Sequence, residues 1–373
     1  MAVVDQPIYS YSDTTPQKRA VADYIDIITP EDAPLAKFLG MNGSPSQFKI
    51  VNWPETKVEW LEDELAVMTD TLAASCESDA TTVQVTDGSV HHVGDQWLID
   101  SEYIWVSSIS TNTVTVVRNK GGTQASHASG ASIERVGNAR LQGADGSYDR
   151  AVNDISAPYN YSQIFQDDLQ VVETEQAVQK YGIARTFDYQ AAKRVKELTI
   201  LIDKTLYHGT RVAASSGVPG MMGGLATFIT NNTTNMNNAA LTPKALEDAV
   251  QSAWEDGGAP DTIICNAFVK RKIKSFYEGS VRTTRDEKRG GIVIDEVETD
   301  FGVLKILRDR WCPSTKLWIV ESQYLGILPL RPFFQEPLAK TGDSVKGQVI
   351  GEYTFVCKND KAHAHIYGIS TTS

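Results

Sequence analysis

The stretch that most constrains this chain is residues 188–208, DYQAAKRVKELTILIDKTLYH, which reads as one long helix. It holds no Gly and no Pro. Tyr189, Ala192, Val195, Thr199, Ile202 and Leu206 recur at three- and four-residue steps, the spacing that places side chains on one helical face. Ile200 and Leu201 widen the apolar stripe, while Lys193, Arg194, Lys196, Glu197 and Lys204 take the other side. Thr186 or Asp188 offers an N-cap, and Gly209 supplies the residue type that ends helices. At about 1.5 Å per residue the rod is roughly 30 Å long. A rod of that length also suits the core of an ordinary α/β domain, so its flanks decide what it serves.

Upstream, residues 1–45 read as an arm. QKRAVADYIDII gives a short amphipathic helix with Val21, Tyr24, Ile25 and Ile28 on one side, and Pro30 and Pro34 bracket the approach to a second piece, PLAKFLG. These pieces carry too little apolar surface to fold alone, so they must lie on something larger. FKIVNWPETKVEW then predicts an extended strand, with Trp53 and Trp60 along it and a kink or edge at Pro54.

Residues 72–136 change texture. TTVQVT, QWLID, YIWVSSI, TVTVVR and ASIERV are short strand candidates, separated by turn chemistry such as Asp87-Gly88 and Asn119-Lys120-Gly121-Gly122. They predict a small barrel or sandwich that folds by itself, inserted in a long extended loop.

Downstream of that insertion, residues 157–171 predict a strand, and VETEQAVQKYG a short helix capped near Thr174. Beyond the rod, the glycines at 217, 220, 223 and 224 mark a loop with tight turns, and the Asn/Thr-rich residues 230–238 an exposed loop. TPKALEDAVQSAWEDGG predicts a helix with Thr242 as cap, Pro243 at its first position and Leu246, Val250, Ala253 and Trp254 as its core face. DTIICN reads as a buried strand, NAFVKRKIKSFYEGS as a helix capped by Asn266, and GIVIDEVET with GVLKILRDR as a hairpin. KLWIVES and LGILPL read as strands of that same sheet, and QVIGEYTFVCK with AHAHIYGIS as a closing antiparallel hairpin.

Catalytic signatures are absent from this pattern. The glycine run lacks the Lys-Ser/Thr of a phosphate loop. His363 and His365 share a strand face but have no third ligand nearby in sequence. Cys76, Cys265, Cys312 and Cys357 form no CxxC pair and read as reduced, buried thiols. Glu62-Asp63-Glu64 and Asp167-Asp168 read as solvated faces, and the mixed run around Arg282, Arg285, Lys288 and Arg289 as a polar loop. No signal peptide, membrane span, metal or cofactor is expected. A net charge of −12 argues against gripping nucleic acid through its phosphates.

The order of parts is distinctive, and with YNYSQIFQDDLQVVETEQAVQKYGIARTFDYQAAKRVKELTILIDKTLYHG, GVPGMMGGLATFI and LTPKALEDAVQSAWEDGGAPDTIICN it resembles a tailed-bacteriophage major capsid protein of the Hong Kong 97-like fold, in the branch with a β-rich insertion. The resemblance implies an α+β fold with an N-arm (1–45), an E-loop (46–156) carrying the β-module (72–136), a peripheral domain (157–215 and 332–373) with its spine helix (188–208), and an axial domain (216–331). It also implies homopentamers and homohexamers forming an icosahedral virion shell around double-stranded DNA, assembled in the host cytoplasm. Portal and scaffolding proteins, and decoration proteins where present, would be partners. Val21, Tyr24, Ile25, Ile28, Trp53 and Trp60 are the expected assembly residues. Two other readings stay open at this point: a tail or tube structural protein, and a hydrolase with a β-rich binding module.

Overall fold

The computed structural model describes residues 30–41, 55–143, 155–180, 183–276 and 295–372. The arm helix around Tyr24, the strand start at 46–54 and the polar run at 281–290 lie outside the described residues. The chain divides into two compact units, one of Leu61–Pro158 and one of Met1–Trp60 with Tyr159–Ser373.

The larger unit opens with a short helix, α1 (Pro34–Phe38), and a short strand, β1 (Lys57–Glu59). Proline stands in the first turn of α1, where its missing N–H costs nothing, and Leu35 and Ala36 are fully buried.

The smaller unit holds β2 (Thr69–Thr71), β3 (Thr82–Gln84), β4 (Asp95–Ile99), β5 (Glu102–Ser110), β6 (Thr113–Gly122) and β7 (Ser132–Asn138). They form one six-stranded sheet in the order β2-β7-β4-β5-β6-β3. Leu72 bridges Val85, and Ala73 N–H donates to the Gln84 carbonyl at 2.9 Å, so the first and last strands meet and the sheet closes on itself. Alternation along the strands sends Val83, Trp97, Ile99, Ile104, Val106, Val114, Val116 and Ile133 into one core. The turns are tight: Gly122 sits at φ +72°, and a Cβ there would lie 1.8 Å from the Ser101 carbonyl oxygen, so only glycine fits.

The larger unit resumes with β8 (Tyr159–Tyr161), which pairs with β1, then β9 (Gln163–Val172), α2 (Glu173–Ala177) and the long α3 (Thr186–His208). Neither α2 nor α3 has a side-chain cap; Thr174 and Thr186 lie inside the helices. The buried stripe of α3 is Phe187, Ala191, Leu198, Ile202, Asp203, Leu206 and Tyr207. It agrees with the sequence stripe at Ile202 and Leu206 but departs in the first half, where Ala192 is exposed and Phe187 takes the core. The glycine-rich loop then folds back on the C-terminus of α3. Gly224 comes so close that a Cβ would lie 2.5 Å from the Leu206 carbonyl oxygen, and its N–H donates to Gly209 O at 3.0 Å. The fully buried Asn160 fastens this loop, accepting from Gly223 N–H at 2.8 Å and donating to Phe355 O at 2.6 Å.

After the loop come α4 (Leu225–Phe228), β10 (Thr233–Asn235), α5 (Pro243–Glu255), β11 (Thr262–Cys265) and α6 (Ala267–Phe276). The remaining strands are β12 (Asp295–Thr299), β13 (Gly302–Arg308), β14 (Leu317–Val320), β15 (Leu325–Pro337), β16 (Ser344–Cys357) and β17 (Ala364–Tyr367). Thr242 caps α5 by accepting from Ala245 N–H at 3.2 Å, and Asn266 caps α6 by accepting from Phe268 N–H at 3.1 Å. A six-stranded sheet runs β10-β17-β14-β11-β13-β12, and a three-stranded sheet runs β15-β16-β9. One face of the larger sheet packs on α5 and α6 through Leu246, Val250, Val269 and Ile273. Full burial of each such side chain is worth about 1.5–3 kcal/mol. Its other face, through Ile264, Leu307, Trp318 and Val320, joins α1, α3 and the smaller sheet in the principal core.

Several expectations are corrected. Residues 233–235 form an edge strand parallel to β17 rather than a plain loop. LGILPL enters the three-stranded sheet instead of continuing beside KLWIVES. β16 and β17 are not a hairpin: Asn359, at φ +51°, starts a 3-10 turn at Asp360–Ala362 that carries the chain from one sheet into the other. On α5, Ala249 is buried and Trp254 is 55% exposed, its indole lying against Phe301 at 5.7 Å.

Candidate functional site

Residues 31–38 are built into the larger unit. Ala33, the N-cap of α1, has no side chain able to cap it, so the first N–H groups of the helix need another acceptor. Asp203 supplies it from the middle of α3, accepting from Ala36 N–H at 2.7 Å across 167 residues of sequence. Trp311 Nε1–H donates to the Asp32 carbonyl at 2.7 Å, and Lys204 Nζ lies 4.4 Å above the Trp311 ring. Lys196 pairs with Glu31. The segment leading to the N-terminus is therefore held by α3 and by the loop after β13.

Beside this clamp lie several strongly perturbed groups. Tyr207 donates to Asp309 Oδ2 at 2.7 Å, and Trp311 N–H donates to Asp309 Oδ1 at 2.8 Å. Burial pushes the Tyr207 hydroxyl and the Cys312 thiol well above their ordinary values, and the Cys265 thiol up to about 12. All four cysteines are buried, and buried structural thiols are inert. Burial lowers His363 and His365 to about 4. His363 Nδ1 accepts from Glu321 N–H at 3.2 Å, and His365 stacks flat on Trp318 at 4.8 Å. Among the described residues no group of three or more His, Cys, Asp or Glu could hold a metal ion, and no helix is long and apolar enough to cross a membrane.

Of the residues expected to mediate assembly, Val21, Tyr24, Ile25, Ile28 and Trp53 lie outside the described residues. Trp60 is corrected: it is 4% exposed and packs with Val58, Leu328 and Val356 of its own chain, its ring 5.6 Å from that of Phe228. Alternation along the strand fixed which face it takes but not what covers that face.

The sequence matches, over residues 8–370, the model of a family described as SU10 major capsid protein. The chain belongs to the SU10 major capsid protein family. Solved structures agree in fold. The cyanophage A-1(L) capsid asymmetric unit matches at a TM-score of 0.54 and 12% identity, covering 97% of this chain and 100% of that one. Mycobacterium phage Bobi matches at 0.50 and 12%, covering 97% and 99%. Mycobacterium phage Adephagia matches at 0.50 and 11%, covering 97% and 98%. No curated protein matches the sequence.

The fold is the Hong Kong 97-like capsid fold, and the protein is a structural subunit of an icosahedral phage head. Head and tail-tube readings are thereby separated in favour of the head. A shell subunit works through the surface it offers to other copies of itself, so a capsid protein's site is its uncovered apolar surface. In the smaller unit, Leu61, Leu65, Val67 and Met68 on the incoming segment are exposed, as are Leu141 and Ile155 on the outgoing one; Leu65 is 89% exposed. The sequence hid this strip because Glu62-Asp63-Glu64 made the stretch look like a solvated acidic run. Leu61 and Leu65, on either side of those acids, were the signal available.

Proposed function

We propose that copies of this capsid protein form homopentamers and homohexamers, and that the shell they build encloses double-stranded DNA. In this reading residues 46–156 are the E-loop with its β-module at 72–136, residues 157–215 and 332–373 the peripheral domain around spine helix 188–208, and residues 216–331 the axial domain. The exposed strip of Leu61, Leu65, Val67, Met68, Leu141 and Ile155 carries the proposal, because six apolar side chains left in water on one unit are stabilised when a neighbouring copy covers them. The arm, with Val21, Tyr24, Ile25, Ile28 and Trp53, lies on a neighbour as a second contact. The role is structural rather than catalytic. Portal and scaffolding proteins, and decoration proteins where present, are separate partners, and assembly takes place in the host cytoplasm. A net charge of −12 makes the subunit as a whole repel DNA rather than adhere to it.

The test is Leu61→Asp with Leu65→Asp, compared with the parent by negative-stain microscopy and sedimentation with scaffold supplied. The variant is expected to keep its circular dichroism and melt while failing to form shells. Normal shells from this variant would remove the strip from the assembly surface.

A further inference from the structure

Six basic side chains collect on one side of the larger unit. Val269 and Ile273 point α6 into the sheet, so Arg271 and Lys274 face solvent, with Lys270 and Lys272 half-buried on the flanks. The pairing of Cys265 with Arg308 brings the exposed end of β13 to the start of α6, and Asn266 Nδ2 donates to the Arg310 carbonyl at 3.4 Å, which holds Arg310 there too. Arg308 and Arg310 are both exposed and line a groove of about 240 Å³ with Asp32, Pro34, Asn266 and Ala267. Asp32 is the single carboxylate among those lining residues. Helix α6 itself contains no acidic residue. Among the described residues, Arg271, Lys272, Lys274, Arg308 and Arg310 have no carboxylate partner.

Unpaired like charges on neighbouring elements repel one another, and a polyanion laid across them removes that repulsion. A second acidic protein surface would bring carboxylates at irregular spacing. Duplex DNA brings one charge per about 1.7 Å of axis. The ten residues of α6 rise about 15 Å, which spans roughly four phosphates of one strand. The patch offers no inserted segment to read base edges, so contact with it is independent of sequence. On a chain of net charge −12 it is a small attractive area on a repelling body.

We propose that the α6–β13 face, through Arg271, Lys274, Arg308 and Arg310, is where the subunit touches the phosphate backbone of the enclosed duplex. This rests on the proposal that the shell encloses double-stranded DNA. The contact is weak, salt-labile and confined to this face, so DNA is held in place without being glued to the shell.

Binding of a fluorescein-labelled 20-base-pair duplex to the unassembled full-length protein, followed by anisotropy between 50 and 200 mM salt, tests this. With about four phosphates neutralised, affinity is expected to fall roughly a hundredfold over that range. Arg271→Glu with Lys274→Glu and Arg308→Glu is expected to lower affinity at 50 mM salt at least tenfold while shells still form by microscopy. Equal binding by parent and variant, or no binding by the parent at 50 mM salt, overturns the proposal. So does tighter binding of polyglutamate than of duplex, which assigns the face to an acidic protein segment. Loss of shells in the variant also overturns it, by making the face a contact between subunits. Shells that form but hold no DNA in the parent would instead count against the enclosing role.

Discussion

Asp203 of α3 and Asp309 after β13 are both fully buried and close enough for the charge of one to act on the other. As two carboxylates neither has a proton to donate, and Asp203 Oδ2 has no donor facing it. A proton on Asp203 gives the pair a donor, and like charges this close cannot both ionise. Burial first, then the charge of Asp309 and the bond to it, push the Asp203 carboxyl up to about 9, against the Ala36 and Leu35 N–H groups that favour its charged form. The neutral form is therefore the one that clamps α1.

The pH dependence has a definite sign. Asp203's folded value lies above the ordinary carboxylate value near 4, so its contribution is complete below about pH 4 and is lost as pH rises through about 9. Asp203→Asn keeps an acceptor for Ala36 N–H and gains a permanent donor toward Asp309. Its melting temperature should stay flat between pH 7 and pH 10, while that of the parent falls. Parallel profiles by differential scanning calorimetry would place the titrating group elsewhere.

The smaller unit has the opposite sensitivity. Burial alone would raise Glu102, but Arg118, Ala125 N–H and His127 outweigh it and hold the carboxylate at about 2. Arg118 Nη2 donates to Glu102 Oε2 at 2.5 Å, and its Nε donates to Oε1 at 3.0 Å. A depressed value gives stability that is present above the ordinary carboxylate range and lost as pH falls from about 4.5 toward 2. Glu102→Ala strands a buried guanidinium, at a cost of about 3–5 kcal/mol. Urea melts followed by tryptophan fluorescence should show that loss at pH 7.

Residues 61–158 expressed alone should give dispersed amide signals and a cooperative melt. The closed sheet owns a complete core around Trp97 and Ile104, and all of its strands pair within the unit itself. A collapsed, undispersed spectrum would show that the barrel needs the larger unit to fold.

Ile202→Asp should unfold the larger unit or cost it several kcal/mol, because Ile202 is fully buried among Leu198, Leu206 and the sheet residues of the principal core. Leu201→Asp, one residue earlier on the exposed side of α3, should change stability by about 0.5 kcal/mol or less. Equal melting of the two variants would mean the buried side of α3 is misassigned.

The sequence by itself determined what depends on neighbours along the chain. Thr242-Pro243 at the start of α5 and Asn266 at the start of α6 mark helix ends with atoms two or three residues away. The alternation of Val83, Ile104, Val114 and Ile133 sets which side of each barrel strand is apolar, because strand geometry repeats every two residues. Tertiary structure decided where apolar faces are covered and by what. Trp60 was spent inside the subunit, Trp254 was left in water, and β16 and β17 went to different sheets although both alternate cleanly. Asp203 is set into the buried side of α3, and its oxygen is taken by α1, 167 residues away. Periodicity records that a face is apolar or a polar group is set inward. Which partner meets it depends on chain crossings between distant segments, and local sequence does not encode them.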